Sequence, residues 1–389
     1  MLKQGVYCQL APVLFGSGSR QETGAKAKEL GMHKVLVVTD PSIVKLGHEK
    51  KILASLAEAN IEYVLWPEAI GDCPDTAVRA AAKVAVDNKV DGIVGLGGGS
   101  SLDTAKAAAV VAANGEEILE EIPAYLSGQK KYQHQPLKKL LIPTTFGTGS
   151  EVTFVCVIND SKLDCKIGLP SSPDYAIVDP ELSLGMPAFI TAFTGLDAFS
   201  HAHESLTEKK STEHSDLLAY EAMRLVAKWL PVACEDINNL QAREYLALAS
   251  NYAGISFSES GTHVAHSIAQ AIGHKFHVAH GVACALSLPP AIEFIALQYP
   301  EKIKKIGEAI DIEVSSNDPA EIGKIIADWV RGFMKKLGIK SYKEQGLTLE
   351  DCLSVEDMVY ADDLFHCFDG EVSREDLRQM LKDMYETYQ

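Results

Sequence analysis

Basic residues are in short supply in this chain: 36 lysines and arginines face 53 aspartates and glutamates, a formal net charge of −17. Such a surface repels a phosphate backbone, which argues against a nucleic-acid partner and gives no reason to expect an anionic membrane. Cysteine is sparse too. The eight (Cys8, Cys73, Cys156, Cys165, Cys234, Cys284, Cys352 and Cys367) are scattered and form no CxxC pair. That excludes a disulfide scaffold and makes reduced thiols in a cytoplasmic setting the expectation. No apolar run reaches the ~18 residues of a membrane span. The opening MLKQGVYCQLAPVLFG lacks the basic-then-apolar order of a secretory signal. What is present is an ordinary globular composition, 47% apolar and 23% charged, over 389 residues, enough for two cores.

The first half alternates short apolar runs with helical patterns. VLVVTD, IEYVLWP, DGIVGLGGG, KKLLIPTT and DYAIVDP read as strands, EVTFVCVIND as a strand leading into a hairpin, and the region His48 to Asn60 and DTAVRAAAKVAVDNK as helices. That rhythm predicts βαβ units with a parallel sheet covered on both faces. After Pro187 the texture changes to long helical patterns without a confident strand, and Gly185 and Pro187 in LSLGMPAF mark the break. The expectation is an α/β domain over 1–186 and an all-helical domain over 187–389. The acidic tail beyond Leu349 reads as solvated helix.

Two loops of the first half carry chemistry. GLGGGSSLDTAKA, from Gly95 to Ala107, follows a strand and opens a helix, where glycines let backbone N–H groups approach a phosphate. Its spacing is neither GxGxxG nor a Walker loop. Ser100 or Ser101 is placed to cap the helix, with Asp103 in the first turn. IPTTFGTGSEVT then sets Thr144, Thr145, Thr148, Ser150 and Thr153 around two glycines after another strand. Asp40, at the end of VVTD, can accept from a ribose diol and repel a 2′-phosphate, which favours NAD over NADP.

The second half gathers histidines. In GLDAFSHAHES, Asp197 and His201 are four apart and share a helix face. His266 and His280 bound HSIAQAIGHKFHVAH. On one continuous helix they would lie ~21 Å apart, too far to share an ion, so the helix must end between them; Gly273 offers a break. Spacing alone also allows His263 with His266, or His277 in place of His280. Three imidazoles and a carboxylate suit Fe²⁺ or Zn²⁺, and do not suit Mg²⁺ or Ca²⁺.

On these motifs, GGGSSLDTAKA, IPTTFGTGSEVT, DPELSLGMPAFITAFTGLDAFSHAHE and HSIAQAIGHKFHVAHG, the chain resembles the iron-containing (group III) alcohol dehydrogenases along nearly its whole length. The resemblance implies a Rossmann-like dinucleotide-binding domain followed by an all-α metal-binding domain, the architecture shared with dehydroquinate synthase. It implies Asp197, His201, His266 and His280 as metal ligands. It also implies Asp40, Gly97, Gly98, Gly99, Ser100, Ser101, Asp103, Thr144, Thr145, Thr148 and Lys166 as cofactor-binding residues, with Lys166 reaching the nicotinamide ribose.

Three positions depart from the family pattern. Gln270 stands where a proton-relaying histidine is usual, and glutamine cannot ionise, which leaves that work to His277, His274 or water. Ala279 replaces a proline before the last ligand, and Cys73 replaces an asparagine near the adenine end. The implied reaction is reversible hydride transfer between a small primary alcohol or its aldehyde and NAD(H), with Fe²⁺, or alternatively Zn²⁺, polarising the substrate oxygen. Phe146, Phe154, Phe193, Phe257 and His263 are candidate pocket walls. A homodimer or larger homo-oligomer is expected at the family level. The competing readings are a polyol or hydroxy-acid dehydrogenase, a metal-assisted lyase of the same fold, and a metal- and nucleotide-binding protein without turnover.

Overall fold

The computed structural model describes Tyr7 and residues 9–162 and 165–389. Residues 1–6 and Cys8, part of the segment weighed as a secretory signal, lie outside the described residues. Six strands form one parallel sheet: β1 (Val13–Phe15), β2 (Lys34–Val38), β3 (Glu62–Trp66), β4 (Gly92–Gly97), β5 (Lys138–Pro143) and, after a separate antiparallel hairpin of β6 (Val155–Asp160) and β7 (Cys165–Pro170), β8 (Tyr175–Val178). The unbroken apolar runs are explained by burial: β2 from Val35 onward and every residue of β4 are buried, as strands covered on both faces by helices must be.

The sheet order is β1-β8-β5-β4-β2-β3. The chain leaves β2 for β3 on one side and returns to β4 on the other, so β2 and β4 flank the point where the winding reverses. In open α/β sheets ligands bind outside the carboxyl ends of the strands at that point. Asp40 follows β2 and the glycine loop follows β4, so both sit there.

Residues Gln9–Leu184 form one compact unit and Gly185–Gln389 belong to the other. The parting at Gly185, whose φ is +76°, falls two residues before the position expected from sequence. Among the described residues of Gly185–Gln389 there are helices and one isolated bridge, Glu208 to Phe368. The central helix, His280–Ala296, is buried almost throughout, because HGVACALSLPPAIEFIA is apolar on every face.

Three readings change. The β1 strand was not foreseen. The acidic tail is less solvated than its charge suggests: Cys352, Val359, Leu377, Met380, Leu381 and Met384 are buried in the helical core. The break between His266 and His280 falls at His277, not Gly273. The helix Val264–Phe276 runs through Gly273 and ends on His277 in the left-handed conformation, φ 56°, a common way to stop a helix.

Candidate active site

In the α/β unit the two loops lie against each other. Thr144 donates its N–H to the Gly97 carbonyl at 2.9 Å. A Cβ on Gly99 would come within 2.6 Å of Thr148, and one on Gly98 within 3.1 Å of Thr145. Gly97 has φ +147°, and a Cβ there would crowd Ser101 at 2.7 Å, so only glycine fits this corner.

The helix Gly99–Asn114 begins from Gly98 with no side-chain cap. Its first-turn N–H groups therefore remain available at a positive dipole end, an anion site. The serines do not cap as expected. Ser101 Oγ donates to Asp40 Oδ2 at 3.2 Å, and Ser100 Oγ accepts from Asp72 N at 3.0 Å. Asp40 caps its own helix, accepting from Ser42 N and Ile43 N through Oδ1.

Beneath the loops, Lys106 is fully buried and donates to the Ser150, Thr153 and Val155 carbonyls at 3.0, 3.1 and 2.6 Å. Asp103 accepts from Ser150 Oγ at 2.6 Å and from Val157 N at 3.0 Å. Its side chain is thus engaged in bracing the second loop and β6. Lys166 lies on β7, with Nζ 2.6 Å from Asp72 Oδ1. This ties it, through Asp72 and Ser100, to the start of the glycine helix.

The helical unit brings the histidines together. Asp197 and His201 come from the helix Ala188–Ser205, His266 from the first turn of Val264–Phe276, and His280 from the first residue of His280–Ala296. Gly281 permits the close approach, since a Cβ there would meet the Phe193 carbonyl at 2.3 Å.

Asp197 Oδ1 is the hub. It lies 3.8 Å from His201 Nδ1, 3.8 Å from His266 Nε2 and 3.6 Å from His280 Nε2. Those separations exceed a hydrogen bond and match the ~3.3–3.8 Å edge of a tetrahedron with bonds of ~2.0–2.3 Å. Asp197 Oδ1, His201 Nδ1 and His266 Nε2 are buried without a hydrogen-bond partner among the described residues. Burial pushes the His201 imidazole down to about 3, so its lone pair is free of a proton at neutral pH. Burial opposes ionisation of Asp197, but the surrounding His201, His280 and His266 more than offset it and hold the carboxyl below its ordinary range. A neutral imidazole and an ionised carboxylate are the forms that bind metal. The donor set fits a divalent transition metal.

Behind the hub, Glu204 accepts from Ala265 N at 2.5 Å and His266 N at 3.2 Å, and pairs with His266 Nδ1. It fixes the ring so that Nε2 faces Asp197, the carboxylate–histidine arrangement that orients metal-binding imidazoles. Glu204 lies seven residues after Asp197, on the same helix face; that spacing was the signal for it. His263 is fully buried, with Nδ1 3.2 Å from Glu204 Oε1 and Nε2 3.0 Å from Thr207 Oγ1. It supports this network and presents no surface as a pocket wall. His203 is fully buried with neither nitrogen hydrogen-bonded among the described residues, and burial pushes it down to about 3.

Of the aromatic candidates, Phe257 stacks on His201 with centroids 4.2 Å apart. Phe193 is half-buried beside Gly281. In the α/β unit Phe146 is buried and Phe154 is 39% exposed. Gln270 and His274 are half-buried one turn apart on the His266 helix, and His277 is exposed at its end.

Residues 11–180 match the family model described as iron-containing alcohol dehydrogenase, and 191–385 match the C-terminal model of the Fe-containing alcohol dehydrogenase family. The chain belongs to the iron-containing alcohol dehydrogenase family, and its parallel-sheet unit and all-helical unit are those of that family. It is 35% identical to the choline dehydrogenase of Bacillus subtilis (strain 168), over 86% of this chain and 83% of the relative. It is 34% identical to the NAD-dependent methanol dehydrogenase of Bacillus methanolicus, over 87% and 88% respectively. Its fold matches the alcohol dehydrogenase from Oenococcus oeni with a TM-score of 0.91 at 27% identity, covering 98% of this chain and all of that one.

Proposed function

We propose that this protein interconverts a small primary alcohol and its aldehyde with NAD(H), using a divalent metal, Fe²⁺ or Zn²⁺, held by Asp197, His201, His266 and His280. The observation that carries the reading is the partnerless Asp197 Oδ1, ringed at 3.6–3.8 Å by three imidazole nitrogens. When bound, the metal supplies Lewis-acid polarisation of the substrate oxygen and the nicotinamide supplies or accepts hydride.

The chain's own residues do the positioning. The first-turn N–H groups of the Gly99–Asn114 helix, at the Gly97–Ser101 loop, receive the pyrophosphate. Thr144, Thr145 and Thr148 offer hydroxyls beside them, and Asp103 holds that second loop in place. Asp40 disfavours a 2′-phosphate and so selects NAD. Lys166, steered by Asp72, reaches the ribose next to the nicotinamide. Glu204 and His263 hold His266. Phe257, stacked on His201, gives the metal an apolar neighbour, which suits a short alcohol. Phe193 extends that wall. Gln270 can relay hydrogen bonds but not a charge, so proton passage to solvent falls to His274, His277 and water.

The test is metal content of anaerobically purified protein together with NADH oxidation by short aldehydes, before and after chelation. About one metal per chain, with activity lost on chelation and restored by Fe²⁺ or Zn²⁺, is the expected result. Full metal loading without turnover of any alcohol or aldehyde by either nicotinamide cofactor would move the reading to a binding protein. Gln270 is the residue that favours that second reading.

A further inference from the structure

Two successive residues of the α/β unit, Asp72 and Cys73, hold positive φ, 62° and 46°, a conformation costly outside glycine. The other non-glycine residues with positive φ among those described, Asn60, Lys89, His277 and Asp311, each close a helix, where that conformation is an ordinary stop. Asp72 and Cys73 instead precede one, Asp75–Asp87, so helix closure does not account for them. Their turn is held from two sides. From the glycine helix, Ser100 Oγ accepts the Asp72 N–H at 3.0 Å, and Thr104 Oγ1 lies 3.4 Å from Cys73 Sγ. From the hairpin, Asn159 donates its N–H to the Cys73 carbonyl at 3.0 Å, and Lys166 Nζ lies 2.6 Å from Asp72 Oδ1. The Lys166 side chain is only 9% exposed, that of Asp72 55%. The lysine is thus buried along its length, and its ammonium meets a carboxylate that faces solvent.

We infer that Asp72 is a positioning residue for the cofactor: its turn, anchored to the glycine helix, sets the Lys166 ammonium at a fixed offset from the pyrophosphate. The inference rests on the cofactor reading proposed above, in which that helix receives the pyrophosphate and Lys166 reaches the ribose beyond it. Ser100 belongs to the loop at the pyrophosphate, so a turn bonded to Ser100 keeps its distance from that group. Asp72 engages one N–H of the ammonium and leaves two to donate to ribose hydroxyls. A lysine free to move would lose rotamer freedom on binding, whereas one already held has lost it in folding. Asp72 therefore adds affinity by preorganisation, without touching the cofactor. The alternative is an ordinary surface ion pair. Such a pair contributes little to stability and requires neither two strained residues nor a bond to the glycine loop.

Calorimetric titration of the full-length protein with ADP and with ADP-ribose separates the two contact points, since only ADP-ribose carries the second ribose. Asparagine tolerates positive φ, so Asp72→Asn keeps the turn and removes the charge. Asp72→Gly, at ease in the same conformation, is the second variant. Lys166→Met is expected to weaken ADP-ribose binding about ten- to a hundredfold, as for a lost hydrogen bond from a charged group, with ADP affinity unchanged. Both Asp72 variants weaken ADP-ribose about three- to tenfold, leave ADP unchanged, and add nothing in the Lys166→Met background. An ADP-ribose affinity unmoved by either Asp72 variant, an equal loss for ADP, or a full further loss in the Lys166→Met background overturns the inference and leaves the cofactor reading standing. ADP-ribose binding that survives Lys166→Met intact overturns the role of Lys166 and the inference with it. Failure of the wild-type protein to bind either nucleotide overturns the dinucleotide reading itself.

Discussion

The two polar centres of this chain are built on opposite terms. Under the loops of the α/β unit the buried polar groups answer one another: Lys106 donates to three carbonyls, and both oxygens of Asp103 accept. In the helical unit the central atoms Asp197 Oδ1, His201 Nδ1 and His266 Nε2 answer nothing among the described residues. A buried polar atom left unpaired costs ~1–3 kcal/mol. The first centre is therefore a rigid frame complete before any ligand arrives, holding out backbone N–H groups. The second carries a deficit that a cation offsets, so its stability is tied to occupancy. A polar site can be made by satisfying everything around it, or by leaving one point unsatisfied on purpose.

Four substitutions break or sharpen this contrast. The largest effect is expected from Asp197→Ala, which removes the hub of the second centre. Turnover should fall by at least ~10³, in line with the loss of a principal electrostatic stabiliser, and metal content should drop to background by elemental analysis while circular dichroism stays unchanged. Lys106→Met strikes the satisfied centre and strands its acceptors. A loss of ~3–5 kcal/mol is expected in urea denaturation, as for other buried charges deprived of a partner; a loss under ~1 kcal/mol would show that the frame is not held this way. Glu204→Gln keeps the shape but weakens the hold on His266, and competition with a chelator should report metal affinity lower by about ten- to a hundredfold. The smallest effect belongs to His203→Leu. Its ring is buried with neither nitrogen hydrogen-bonded, so the apolar replacement should leave the melting curve unchanged or raise stability by up to ~1 kcal/mol. A clear destabilisation would mean that this histidine has a polar partner after all.

Much of this was legible in the sequence because its signals are local. The strands of the sheet announce themselves as short unbroken apolar runs, and the glycine loop by its place between strand and helix. The pairing of Asp197 with His201 follows from a spacing of four. What escaped depends on distant partners or on one backbone angle. The three residues of β1 have no periodicity, and only their pairing with β8 makes them a strand. Gly273 looks like a stop, yet the helix ends where His277 adopts a positive φ, a conformation rare enough outside glycine that composition does not suggest it. The burial of the acidic tail was hidden because charged residues on one helix face mask the apolar stripe on the other, as in Arg374–Glu386.

The pairing of β1 with β8 also sets a timetable for the chain on the ribosome. Val13 finds its sheet partner at Ala176, and Arg20 its ion pair at Asp179. At ~5–20 residues per second, the first strand emerges roughly 8–30 s before the segment that will hold it. During that interval the remaining strands can assemble while their edge stays open, and the unit closes only as the first helix of the next one begins to be made.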